Sequence, residues 1–96
     1  MKTLNKMRSI PQVAEGTVVT EVDTEAILMN VEQGIYYGLD EIGTFIWKYI
    51  ENGSTLEELM QKFLTEYQVE KSVFTQDINA FIEDLNLKGL VVGRWG

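Results

Sequence analysis

The stretch Ala26–Trp47 constrains the fold most, because its pattern changes from strand-like to helix-like within a few residues. Two apolar runs, Ala26–Val31 and Ile35–Leu39, flank the short connection Glu32–Gly34. A short connection that ends in glycine between two such runs predicts a β-hairpin. Asp40 follows directly, and its carboxylate can accept a hydrogen bond from a free N–H of a first helical turn. The sequence therefore predicts a hairpin that leads straight into a helix.

A further strand is expected before this hairpin. Residues Thr17–Val22 are rich in β-branched side chains, which favour strands, and the polar residues Asp23–Glu25 connect them to the hairpin. Together the three runs predict a small antiparallel meander. Residues 1–16 and 93–96 are expected to be flexible, with Met1–Ser9 as a frayed arm or a short edge strand.

Three helices are predicted after the sheet, because apolar residues recur there at spacings of three and four. They cover about Glu41–Glu51, Thr55–Tyr67 and Val73–Lys88. A three-stranded antiparallel sheet followed by three helices is an α+β fold, similar in its order of elements to the winged helix-turn-helix class.

The ends of the second and third helices carry recognisable signals. Ser54 and Glu57 fit a capping box, in which each side chain accepts the other residue's free N–H. Ser72 is expected to cap the third helix. After Gly89 ends that helix, Leu90–Val92 is expected to return as a short strand or to form a tail.

Composition excludes most catalytic chemistry. The chain has 96 residues, of which 45% are hydrophobic, and it contains no cysteine and no histidine. This length predicts one globular domain, without disulfides, thiol chemistry or zinc sites built from Cys and His. Its neighbouring carboxylates, such as Asp40 and Glu41, point in different directions on a helix and read as caps and solvated faces. We therefore expect a protein that is not an enzyme and needs no cofactor.

The negative charge is unevenly distributed. The net charge is −7, and no basic residue occurs between Ile10 and Trp47, whereas Lys2, Lys6 and Arg8 lie in the first ten residues. Such a surface repels phosphate, so we expect no nucleic-acid partner, and it suits a basic peptide or protein. No apolar run approaches the ~20 residues of a membrane span, and no signal-peptide core is present. The expected location is the cytoplasm, without membrane attachment.

Two segments are candidates for a binding surface. On a strand, Tyr36 and Tyr37 point to opposite faces, so one is expected in the core and the other on display. Gly38, without a side chain, would let another backbone approach closely. The predicted third helix has a wide apolar stripe. That stripe is either all core or partly the second wall of a groove beside Ile35–Leu39.

Several segments in order resemble the PqqD family, whose members act in the biosynthesis of pyrroloquinoline quinone and of other ribosomally made, modified peptides. The resemblance spans roughly residues 18–92. It rests on Ile27–Val31 with Gly34, Tyr36–Gly43, Ile46-Trp47, Thr55–Leu59, Tyr67–Val69, Asp77–Leu85 and Lys88–Val91. The basic first ten residues lie outside the pattern.

The resemblance implies a recognition element for precursor peptides. In that family, the leader segment of the precursor adds as a fourth strand to the third strand, and its side chains enter a groove beside the third helix. Carried over, the pairing edge is Ile35, Tyr36, Tyr37, Gly38 and Leu39, and the opposite wall is Phe74, Asp77, Ile78 and Phe81. Asp77 and Asp84 are expected to meet a basic residue of the leader.

The resemblance leaves the biosynthetic context open. The chain could serve a lasso-peptide system, in which a separate leader peptidase and a cyclase process the presented precursor. It could instead assist a radical S-adenosylmethionine enzyme. A winged-helix transcription regulator is the rival from another class, and a weak homodimer that pairs the same strand edges is the alternative to a monomer.

Overall fold

Residues 10–96 are described by the computed structural model, and the predicted arm or edge strand at Met1–Ser9 lies outside them. Within this range a three-stranded sheet is followed by three helices, and the first and last strands form a separate short pair. The elements are β1 (Gln12–Val13), β2 (Thr17–Val22), β3 (Glu25–Asn30), β4 (Ile35–Leu39), α1 (Glu41–Glu51), α2 (Leu56–Glu66), α3 (Lys71–Leu87) and β5 (Val91–Val92). The predicted α+β fold is confirmed.

The main sheet is the predicted antiparallel meander, with the order β2-β3-β4. Residue Asn30 lies opposite Ile35 and closes the β3–β4 hairpin. Its side-chain oxygen accepts the Gln33 N–H at 3.1 Å, and its carbonyl accepts the Gly34 N–H at 2.7 Å. Because Asn30 already begins the turn, β3 ends there and not at Val31 as predicted.

A second, two-residue ladder joins the ends of the described chain. Strand β5 pairs antiparallel with β1, so that Val13 lies opposite Val91. The expected return strand exists, whereas its partner β1 is too short to give a sequence pattern. Beyond β5, the Trp95 indole N–H donates to the Ser54 carbonyl at 2.9 Å. This contact places the C-terminal segment beside the α1–α2 connection, and the flexibility of residues 1–16 and 93–96 stays a prediction.

Helix α1 has the predicted bounds, and Asp40 caps it through an oxygen that accepts the Gly43 N–H at 2.8 Å. The predicted capping box of α2 is wrong by one residue. Thr55 and Glu58 form it, at 3.2 and 2.8 Å. The reason is that the Ser54 N–H still bonds to the Tyr49 carbonyl of α1 at 3.0 Å, so the next residue is the first that can start α2.

Helix α3 begins two residues earlier than predicted, at Lys71. Its N-cap is Glu70, which makes no side-chain capping bond. The Phe74 N–H bonds to the Glu70 carbonyl at 2.9 Å, which places Ser72 inside the first turn. Because Ser72 lies inside the helix, it is not the cap. No side chain caps this end of α3, and packing of the apolar face of the helix stabilises it instead.

The hydrophobic core lies between the inner face of the main sheet and the three helices. Trp47 and Leu28 are completely buried in it. The other members come from the three helices and from the segment that enters β5: Ile46, Ile50, Leu59, Phe63, Phe74, Ile78, Ile82, Leu85, Leu90 and Val91. Among the described residues, no helix is both long and apolar enough to cross a bilayer.

Candidate functional site

Strand β4 has an open edge. It lies at the end of the β2-β3-β4 order, and within residues 10–96 no strand pairs with its other side. Its first two residues, Ile35 and Tyr36, are 45% and 66% exposed. The hydrogen-bonding groups along this edge are therefore accessible to another extended chain.

The phase of the ladder shows which backbone groups face that edge. The Val31 N–H bonds to the Gly16 carbonyl across the β2–β3 pair. Since backbone groups alternate in direction along an antiparallel strand, Asn30 and Leu28 direct theirs towards β4. Their partners there include Tyr37, so the N–H and C=O groups of Tyr36 and Gly38 point out of the sheet.

The two tyrosines have opposite roles. Tyr37 pairs with buried Leu28, lies on the inner face and packs against the core. Tyr36 lies on the outer face and is exposed. The structure thus settles the alternative that the sequence left open, with Tyr37 as the inward residue.

A groove with a volume of about 750 Å³ runs between the end of β4 and α3. Of the predicted binding residues, Gly38, Leu39, Phe74, Asp77, Ile78, Phe81 and Asp84 line it. The other three, Ile35, Tyr36 and Tyr37, lie on the same strand but do not line the groove. The two expected walls are thus brought together, whereas the first half of β4 contributes an edge only.

The apolar stripe of α3 serves both of the purposes considered for it. Phe74 and Ile78 are 3% and 1% exposed and belong to the core, yet both also border the groove. Ile82 and Leu85 are core residues only. Phe81 is half-buried at the groove wall, so it is the aromatic side chain of this wall that a bound chain would cover most.

The residues that line the groove include an ion pair. The Lys88 ammonium lies 2.7 Å from the Asp84 carboxylate and 4.8 Å from the centre of the Tyr37 ring. The predicted contact of Asp84 with a basic leader residue therefore has an internal competitor. Lys88 was not among the predicted site residues, although its i,i+4 spacing from Asp84 was a readable signal.

Asn30, which lies in neither wall of the groove, connects the end of α3 to the β3–β4 turn. Its side-chain amide donates to the Lys88 carbonyl at 3.0 Å, while its oxygen holds the β3–β4 turn. The adjacent Gly89 has φ of +71°, and a Cβ there would lie 2.9 Å from the Asn30 amide nitrogen. This close approach requires glycine and fixes the end of α3 against the sheet.

The rest of the groove comes from α1, α2 and the α2–α3 connection, which the sequence-based site omitted. The added lining residues are Asp40, Ile42, Gly43, Ile46, Phe63, Tyr67, Gln68 and Val69. Desolvation raises the pKa of the Tyr67 phenol, and the negative charges of Glu41, Glu66 and Asp40 raise it further. Desolvation is the larger cause of this shift, and the neighbouring carboxylates add to it in the same direction.

Within the described part of the chain, no group of three or more acidic side chains is arranged to hold a metal ion. What the groove offers is apolar surface, carboxylates at its rim and an adjacent line of backbone donors and acceptors. These are the components of a peptide-binding surface.

Comparison with known proteins identifies relatives of this arrangement. A family model described as coenzyme PQQ synthesis protein D (PqqD) matches residues 25–91. No curated protein matched the chain.

Two solved structures are similar in fold. One, TbiB1 in complex with the TbiA(beta) leader peptide, is 30% identical with a TM-score of 0.80, covering 83% of this chain and 93% of the other. The second, a lasso peptide synthetase B1 complexed with the leader peptide, is 21% identical with a TM-score of 0.81, covering 88% of this chain and 99% of the other. At that lower identity the second match shows the fold alone. The family model and the first structure confirm the resemblance read from the sequence, and the chain belongs to the PqqD family.

Proposed function

We propose that this protein binds the leader segment of a ribosomally made precursor peptide as a fourth strand on β4. It presents the precursor to a separate leader peptidase and cyclase of a lasso-peptide system. The observation that carries the proposal is the open edge of β4 directly beside an apolar groove.

The edge supplies affinity that depends little on peptide sequence. Tyr36 and Gly38, which are two residues apart, both direct their N–H and C=O groups outwards. In an antiparallel pair, every second residue of a strand forms hydrogen bonds to the neighbouring strand. A leader strand in this position would direct alternate side chains towards the groove. Backbone hydrogen bonds would hold it, and side chains in the groove would select it.

The groove favours a leader with apolar anchors and a basic residue. Phe81 and Leu39 offer partly exposed apolar surface. Asp77 at the rim makes no hydrogen bond or ion pair to any residue between 10 and 96, unlike Asp84, which Lys88 already holds. We therefore assign recognition of a basic leader residue to Asp77 before Asp84.

The relative with 30% identity is described as a complex with a leader peptide, which supports leader binding. We place the chain in a lasso-peptide system rather than beside a radical S-adenosylmethionine enzyme as part of the proposal. The protein acts here by binding and not by catalysis. Its cytoplasmic location stays a prediction from the sequence.

The direct test is fluorescence anisotropy with a labelled leader from the precursor encoded beside this chain. We expect saturable binding at micromolar concentration or below, which corresponds to about −8 kcal/mol or stronger. Absence of binding up to tens of micromolar would contradict the proposal.

A pair of variants locates the binding edge. Tyr36→Ala removes only the side chain, whereas Tyr36→Pro also removes the outward N–H. We expect Tyr36→Pro to bind about 3- to 10-fold more weakly than Tyr36→Ala, the net value of one hydrogen bond. Proline at Tyr37 would break a bond within the sheet, so it does not make this distinction. Equal affinities of two folded Tyr36 variants would argue against strand addition.

A further inference from the structure

Lys88 is the only cation among the described residues that line the groove. Its side chain reaches from the end of α3 over β4, where the ammonium lies 4.8 Å from the centre of the Tyr37 ring and 2.7 Å from the Asp84 carboxylate. Tyr37 lies on the inner face of the sheet, and residues paired across two strands share a face. The leader residue paired with Tyr37 would therefore point towards Lys88.

The Lys88 ammonium has a hydrogen-bond donor left for a bound chain. A lysine ammonium carries three N–H donors and no acceptor. The Asp84 carboxylate takes one of the three, and the Tyr37 ring occupies a second side of the ammonium through a cation–π contact. A leader side chain at this position is therefore favoured if it carries an acceptor, whereas a basic side chain is repelled.

A carboxylate suits this position best, because hydrogen bonds between two charged groups are the strongest that a lysine forms. Asp84 would repel a second carboxylate, but its side chain is 53% exposed, and solvent and salt screen exposed charges. The Lys88 side chain is only 35% exposed, so its attraction is screened less. The balance favours an acidic leader residue beside Lys88.

The two ends of the groove lie at the two ends of β4. The Asn30 amide beside the β3–β4 turn donates to the Lys88 carbonyl, which places the end of α3 near the start of β4. Asp77 lies eleven positions earlier on α3, and the groove it lines includes Leu39 and Asp40 at the end of β4. Helix α3 therefore runs opposite to β4, with Lys88 at the start of the strand and Asp77 towards its end.

This placement sets a spacing for the leader. Eleven helical residues extend over about 16 Å, which a strand covers in about five residues. Because alternate strand residues point to one face, the two leader residues that enter the groove at Asp77 and Lys88 are about four or six positions apart. In a leader antiparallel to β4, the residue that meets Asp77 comes first.

We infer that Lys88 is a specificity-determining residue, which binds an aspartate or glutamate of the leader about four or six positions after the basic residue that Asp77 meets. The inference rests on the proposed function, because it names a second charged residue of the leader in the same groove. The ordered pair of leader charges, basic and then acidic, matches Asp77 and Lys88 and fixes the register and direction of the leader on β4.

The test measures anisotropy of the labelled leader with the full chain. Lys88→Gln removes the cation from the groove. Lys71→Gln is the matched control, because Lys71 is an exposed cation in the first turn of the same helix and does not line the groove. A set of peptides replaces each aspartate or glutamate of the leader, one at a time, by the corresponding amide.

We expect Lys88→Gln to weaken binding of the native leader about three- to fivefold, as for a partly exposed charge pair, and Lys71→Gln to leave it unchanged. One amide substitution in the leader, at the position given above, should weaken binding to the native chain by a similar factor and have no effect on binding to Lys88→Gln. A purely structural role of Lys88 would not produce this non-additivity. If Lys88→Gln does not fold, Lys88→Met, which keeps an unbranched stem over the Tyr37 ring, replaces it.

Three results would overturn the inference while the native chain still binds the leader. They are unchanged or tighter binding by Lys88→Gln, an equal loss for Lys71→Gln, or losses that add for every acidic residue of the leader. Coupling of Lys88 to a carboxylate that precedes the basic residue would also overturn it, because the order would be reversed. Absence of leader binding by the native chain would instead count against the proposed function, and the first titration shows that separately.

Discussion

At the residue scale, Asp77 is the carboxylate to which we assign recognition of a basic leader residue. It lines the groove, is exposed, and has no bonded partner within residues 10–96. Glu83 on the same helix is also exposed but lies outside the groove and pairs with Arg94 at 3.5 Å. The two residues therefore form a matched pair, one in the site and one outside it.

Asp77→Asn should weaken binding of a leader with a basic residue at this position about two- to fivefold, as expected for an exposed charge pair. Anisotropy at low and moderate salt measures it, and the loss should shrink as salt rises. Glu83→Gln should leave the affinity unchanged. An equal effect of the two substitutions would show that only net charge matters.

Thr55 and Ser54 illustrate a single-residue effect on stability. Thr55 forms the capping box with Glu58 through its side chain. Ser54 instead donates its backbone N–H to the Tyr49 carbonyl. Thr55→Ala should lower the free energy of unfolding by about 0.5–2 kcal/mol. Ser54→Ala should change it much less, and urea denaturation compares them. A larger loss for Ser54→Ala would place the cap where the sequence first suggested.

At the scale of elements, α3 combines core and binding wall in one apolar stripe. Its buried residues, Phe74 and Ile78, hold it against the other helices, and Phe81 completes the groove. The wall that α3 contributes to the groove is therefore continuous with the packed core. Such a wall would bind a leader with little rearrangement, which reduces the entropy cost of association.

Phe81→Ala should weaken leader binding by about tenfold, because part of an aromatic side chain's burial energy is lost. Its effect on unfolding should be small compared with that of Phe74→Ala, which removes a core residue and should cost about 3–5 kcal/mol. Anisotropy and thermal unfolding separate the two effects. Equal destabilisation by both substitutions would mean that Phe81 is a core residue.

The sequence predicted the elements well and the site in part. The hairpin signal, the Asp40 cap and the apolar spacing are local properties, so β2, β4 and α1 have the predicted bounds. The caps predicted for α2 and α3 were wrong, because the backbone bonds of the preceding connections decide where those helices begin.

The contribution to the groove of Phe63 on α2 and of Tyr67 directly after it depends on how the helices pack, which spacing does not reveal. The i,i+4 spacing of Asp84 and Lys88 can be read from the sequence, whereas the position of Lys88 over the Tyr37 ring depends on how the end of α3 packs on the sheet.

At the scale of the whole molecule, charge separates peptide recognition from DNA recognition. The chain carries a net charge of −7, and the groove rim contains Asp40, Asp77 and Asp84. Duplex binding depends on cations that displace counterions from phosphates. An acidic groove wall on the third helix therefore opposes the role of a DNA-recognition helix.

We expect no binding of a labelled DNA duplex at physiological salt, measured by anisotropy under the conditions used for the leader. Leader binding in the same buffer is the positive control. Duplex affinity that falls steeply as salt rises would support the rival transcription regulator.

The central claim is that a leader strand pairs with the open edge of β4. Amide hydrogen exchange, followed residue by residue by NMR with and without saturating leader, tests it most directly. The account predicts that the N–H groups of Tyr36 and Gly38 become protected by the leader, whereas that of Tyr37, already bonded to β3, changes little. Unchanged exchange at both Tyr36 and Gly38 under saturating leader would contradict strand addition at this edge.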